Sequence, residues 1–194
     1  LILFGVGYVG KDAGLLSIQA SSRERKILSE TFAIIDAYLF NDLTNQASVE
    51  ALWNVPSSVK NSTYSFSSNG WKYGNVSSFT RIPNSFTLPT VPYEISFKIT
   101  AITRNGFQLE VGNSNAVYVA TNPSNSAIRL MNQSDNSIAL NTFYKVRVYS
   151  NKVELYCEDV LLDTYSTTIS STQCQFATGS NRKVTVKDLI IKPL

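Results

Sequence analysis

Asn141–Asp163, NTFYKVRVYSNKVELYCEDVLLD, is the stretch that decides the fold class. In Phe143–Tyr149, Val146 and Val148 alternate with Lys145 and Arg147. In Lys152–Cys157, Val153, Leu155 and Cys157 alternate with Lys152, Glu154 and Tyr156. A period of two marks a strand with one buried and one wet face. Ser150-Asn151 separates the two runs, and Asn tolerates the left-handed backbone of a two-residue hairpin turn. Glu158-Asp159 forms a second turn, after which Val160-Leu161-Leu162 resumes the sheet.

Working outward, short strands recur along the chain. Tyr64–Ser67 leads through the turn Ser68-Asn69-Gly70 into Trp71–Tyr73, and Ser77–Ile82 follows. Ile95–Ile102 alternates cleanly. Asn105-Gly106 reads as a further hairpin turn into Phe107, Leu109 and Val111, and Val117–Ala120, Ala127–Met131 and Ser137–Leu140 continue the series. Many short strands with turn signals every 8–12 residues predict an all-β, antiparallel β-sandwich over 43–194. Residues 1–42 read as an N-terminal arm or connector, supplying edge strands or an oligomer contact. Gly5, Gly7, Gly10 and Gly14 interrupt its first part, a short helix is expected up to about Glu30, and the apolar run Thr31–Phe40 reads as either strand or helix. Its opening LILFGVGYVG is far short of the ~20 apolar residues that span a bilayer, so no membrane span is expected. A start at Leu1 without Met points to a processed product or a fragment of a longer chain.

The composition narrows the chemistry. With 43% hydrophobic residues, the 194-residue chain can bury a sizeable core. The net charge of +3 is too weak for a nucleic-acid partner, and the lysines read as scattered. Residues 1–50 hold four basic and six acidic side chains, so the positive balance lies in the sandwich. Histidine is absent, which removes the commonest general base and the commonest transition-metal ligand. Cys157 and Cys174 lie in strands with apolar neighbours, and spacing alone does not decide between a disulfide and two buried thiols.

The meander FYKVRV, VELY, CED and VLL, together with the closing Lys183–Leu194 strand, resembles concanavalin A-like and laminin-G-like β-sandwich domains. That resemblance implies a jelly roll, selects strand for Thr31–Phe40, and permits lectins, adhesins, virus-tail modules and glycan-processing enzymes. The laminarinase-like enzymes of the superfamily carry Glu-x-Asp-x-x-Glu on one strand. The nearest stretch here runs from Glu154 to Asp159 with Tyr156 in place of the Asp, so the motif is not met. Glu110 and Glu154 remain the strand carboxylates to test for hydrolysis. Asp42, Asp135, Asn136 and Asp159 sit in loops and could offer hard oxygens to calcium; otherwise no cofactor is expected.

The candidate ligand site is aromatic and amide: Trp53, Asn69, Trp71, Tyr73 and Tyr118. Sugar rings stack on aromatic faces while amides meet their hydroxyls; equally, Trp71 and Trp53 could plug the core. The expected function is a non-enzymatic carbohydrate-binding or structural module of a surface or virus-tail protein. Its partner would be a cell-surface glycan or polysaccharide, its location extracellular or on a virion, and it could self-associate through the arm. A glycoside hydrolase or lyase with an unrecognised carboxylate pair and a purely architectural subunit are the alternatives.

Overall fold

The computed structural model describes residues 39–41, 43–103, 106–112, 117–122, 127–169 and 173–194. The expected helix and most of the expected strand within the N-terminal arm, like Asp42, lie outside them. The described residues fall within one compact unit, Ala37–Leu194.

Fourteen strands are described: β1 (Leu39–Asn41), β2 (Thr63–Ser67), β3 (Gly70–Gly74), β4 (Thr80–Pro83), β5 (Tyr93–Thr103), β6 (Gln108–Val111), β7 (Val117–Asn122), β8 (Ala127–Leu130), β9 (Asn136–Ser137), β10 (Phe143–Val148), β11 (Lys152–Cys157), β12 (Val160–Ser166), β13 (Cys174–Thr178) and β14 (Lys183–Pro193). They form two antiparallel sheets. One is ordered β12-β11-β10-β5-β14-β3-β2, with β1 pairing the far half of β14; the other is β4-β13-β6-β7-β8-β9. This is the expected sandwich. The decisive meander forms as read: Val146 faces Leu155 across β10 and β11, and Cys157 faces Val160 across the second turn. In that second turn Glu158 takes the left-handed backbone (φ 52°), while Asn151 does not.

The Asn105-Gly106 hairpin is not formed. β5 belongs to the first sheet and β6 to the second, so the segment is a crossover. Gly106 serves close approach instead, because a Cβ there would lie 2.0 Å from the Lys183 carbonyl oxygen. Two short helices also stand in the polar stretch ahead of β2, α1 (Gln46–Leu52) and α2 (Ser57–Lys60). The Asn45 side chain caps α1 by accepting from the Ser48 N–H at 3.2 Å. The surrounding polar composition hid a helix with one fully buried residue, Val49.

Between the sheets lies an aromatic core. Trp53 packs on Phe176 (centroids 4.6 Å apart), Trp71 on Tyr73 (4.4 Å) and Phe97 on Phe107 (4.7 Å). Cys157 and Cys174 are free thiols on different sheets.

Candidate functional site

Because side chains alternate along each strand, the inward set builds the core and the outward set builds the faces where a ligand can bind. On the first sheet, Trp71, Tyr73, Val184, Val186, Ile95, Phe97, Val146 and Val153 point inward and are buried. Ser65, Lys72, Thr185, Lys98, Lys145, Arg147 and Glu154 therefore point outward. The outer face divides into two regions.

The first is a groove of about 550 Å³ lined by Ser65, Ser67, Asn69, Lys72, Thr100, Ala101, Asn141 and Thr185. Register assembles it from distant parts of the chain: Lys72 pairs with both Ser65 and Thr185, and Thr185 pairs with Ala101. Its floor is internally bonded. Thr100 Oγ1 donates to the Asn69 carbonyl at 2.8 Å, and the Asn69 N–H donates to Ser67 Oγ at 3.2 Å. The side chains of Ser65, Asn69, Lys72, Asn141 and Thr185 form no hydrogen bond or ion pair among the described residues. Gly70 and Gly74 bound β3 at positive φ, and a Cβ there would overlap the carbonyl oxygen of Val186 in β14 at 2.2 Å and of Arg182 just ahead of β14 at 2.0 Å. Those close approaches seat β3 against β14 and bring Lys72 over Thr185.

The second region is a closed ladder in one row across five strands: Lys192, Glu94, Arg147, Glu154 and Thr164 are successive partners. Arg147 Nε donates to Glu94 Oε2 at 2.9 Å, Lys192 lies 3.4 Å from Glu94, and Lys152 Nζ donates to Glu154 Oε1 at 2.6 Å. Ser96 Oγ donates to Glu94, Tyr156 OH donates to Glu154, and the Arg147 guanidinium lies over the Tyr156 ring. Burial pushes both carboxyls up. The Arg147 and Ser96 bonds with the Lys192 charge at Glu94, and the Lys152 and Tyr156 bonds at Glu154, outweigh it and hold both below the usual carboxylate range.

Of the residues singled out from sequence, Trp53, Trp71 and Tyr73 are at most 1% exposed. Their rings lie in the core, where no sugar reaches them. Their aromatic size, which made them attractive ligand residues, is what fills the space between the sheets. Asn69 lines the groove. Tyr118 lies on the outer face of the other sheet, its hydroxyl donating to Asn132 Oδ1 at 2.9 Å. Glu110 shares that second face, opposite Gln175 and Tyr118, and accepts from Arg81 at 2.8 Å. Glu110 and Glu154 therefore occupy outer faces of opposite sheets and do not form a pair. Asp159 accepts from Lys145 at 2.6 Å in the β11–β12 turn, and Asp135 lies in the β8–β9 loop. Among the described residues, no group of three or more His, Cys, Asp or Glu side chains is placed to hold a metal ion, and no helix is long and apolar enough to cross a membrane.

Sequence reasoning missed Ser65, Ser67, Lys72, Thr100, Asn141 and Thr185. The signal that could have found Ser65 is its place between Tyr64 and Phe66 in a short alternating run. The insertion of β14 between β3 and β5, which no local signal carries, was needed to gather the rest.

No protein-family model matches the chain, and no curated protein sequence does. Solved structures do match its fold. A Crh5 transglycosylase in complex with NAG superposes with TM-score 0.60 at 9% identity, over 81% of this chain and 84% of that one. A Bacillus subtilis protein of unknown function with a galectin-like fold gives 0.55 at 9%, over 79% and 94%. A Bacillus licheniformis β-glucanase gives 0.53 at 11%, over 81% and 98%. The chain has the concanavalin A-like fold. At these identities the likeness is one of fold alone.

Proposed function

We propose that the sandwich is a non-enzymatic carbohydrate-binding module that holds a glycan in the groove on the outer face of its larger sheet. One observation carries this reading: the groove side chains that hold no internal partner are hydroxyls, amides and an ammonium, the groups that pair with sugar hydroxyls. The volume falls within the range of small-ligand sites. We place the module on an extracellular or virion surface, in keeping with a chain poor in charge and rich in Asn, Ser and Thr. A glycan array tests the reading. Binding that is lost on Asn69→Ala and Thr185→Val supports it, and an array without binders removes it.

A second reading, hydrolysis, is favoured by one feature. Glu94 and Glu154 share a face one strand apart, with backbones roughly 9–10 Å from each other at two strand spacings, close to the carboxyl separation of inverting glycosidases. Against it, a general acid needs a raised pKa, and the cations of the ladder lower both. Polysaccharide turnover by the purified chain, abolished by Glu94→Gln, would replace binding with hydrolysis.

A further inference from the structure

We propose that the glycan of the groove is anionic, carrying carboxylate or sulfate groups that Lys72, Lys183 and Lys187 meet around Thr185. The inference rests on the carbohydrate-binding reading and adds the charge class of the ligand.

The cations of the outer face fall into two groups. Lys98, Lys145, Arg147, Lys152 and Lys192 each have a carboxylate oxygen within 3.4 Å. Lys72, Lys183 and Lys187 have none among the described residues. These three lie far apart in sequence, yet pairing of β3 with β14 gathers them. Lys72 sits directly across from Thr185, a Cα separation of ~5 Å for antiparallel partners. Lys183 and Lys187 flank Thr185 on the same face, each ~7 Å along the strand, because Val184 and Val186 between them point into the core. No acidic side chain lines the groove. The acid nearest along β14, Asp188, is already bound to Lys98 at 3.1 Å.

An ammonium is a compact point charge that accepts a carboxylate or a sulfate without demanding a fixed fork geometry. The uncharged hydroxyls and amides beside it suit the ring hydroxyls of the same polymer. A single-stranded nucleic acid would instead want aromatic platforms for its bases, and the groove offers none.

The test is affinity electrophoresis of the full chain through polygalacturonate and dextran sulfate, with dextran, laminarin and single-stranded DNA as comparisons. The expected result is retardation by one or both acidic polysaccharides. It weakens at least about tenfold between about 0.1 M and about 1 M salt, where the screening length falls from ~10 to ~3 Å. The triple variant Lys72→Gln, Lys183→Gln, Lys187→Gln should lose about tenfold, the scale of three exposed ion contacts. The matching Lys→Arg triple should retain binding, which separates lost charge from lost folding. Carboxylated and sulfated polymers distinguish the two anion sources. Salt-insensitive binding of a neutral polymer, or acidic binding that the Gln triple leaves unchanged, overturns the charge assignment while sparing the carbohydrate reading. Equal retardation by DNA overturns the charge assignment in favour of a general polyanion surface. Binding to none of the polymers removes both.

Discussion

The two regions of the larger sheet's outer face are both polar and end in opposite states. In the ladder, every charge meets its complement, Glu94 across neighbouring strands and Glu154 through Lys152 of its own strand, and Glu94 is only 2% exposed. In the groove, the side chains of Ser65, Asn69, Lys72, Asn141 and Thr185 stand beside one another without partners among the described residues. A satisfied polar network rigidifies the sheet but has no hydrogen-bonding capacity left for a ligand. An unsatisfied one contributes little to stability and keeps that capacity. The contrast assigns the ladder to structure and the groove to recognition, so substitutions in the two regions should separate stability from binding.

The largest effect should come from Gly74→Ala. Its positive φ of 131° and a Cβ position 2.0 Å from the Arg182 carbonyl oxygen force β3 away from β14, at about 3 kcal/mol or more. Thermal unfolding should show it, and binding should fall with stability because the groove loses its wall. Next comes Arg147→Met, which leaves the buried Glu94 carboxylate with Ser96 and a more distant Lys192. The expected cost is about 2–3 kcal/mol, below that of a fully buried pair because the Arg147 side chain is 28% exposed. Denaturant unfolding should report this loss, with glycan affinity unchanged at temperatures where the variant is folded.

Acid should weaken the ladder as well. Glu94 and Glu154 have folded-state pKa values below the ordinary range. Their contribution is therefore fully present above the unfolded value of about 4.3 and is lost as pH falls through the folded values. Unfolding midpoints measured across acidic pH should decline for the wild type and flatten in Glu94→Gln. The smallest effect on stability belongs to Tyr73→Phe. The Tyr73 hydroxyl is buried without a partner, and burial raises its pKa far above that of a free phenol. Removing it should leave stability within about 0.5 kcal/mol of wild type or raise it slightly, and a ligand role for Tyr73 would instead appear as lost binding.

Most of the fold was legible in the sequence because period-two alternation is a local property. The Asn141–Asp163 meander appears in the structure with both turns in the expected places, although Asn151 does not take the left-handed backbone and Glu158 does. The Asn105-Gly106 hairpin failed because a glycine required by the Lys183 backbone across the sandwich looks, in sequence, like a glycine required by a turn. The same limit governed the site. Asn69 could be picked out as a turn residue, whereas Lys72 and Thr185 meet only through a strand pair separated by more than a hundred residues. Trp53, Trp71 and Tyr73 were ambiguous because aromatic size serves a core and a sugar platform equally well, and burial settles which.

The most direct test of the division between ladder and groove is a titration of the isotope-labelled protein with an acidic oligosaccharide, followed by amide chemical shifts. The account expects saturable shifts at Ser65, Ser67, Asn69, Lys72 and Thr185, with Glu94, Arg147 and Glu154 unmoved. Shifts centred on Arg147 and Glu154 with a silent groove would contradict it.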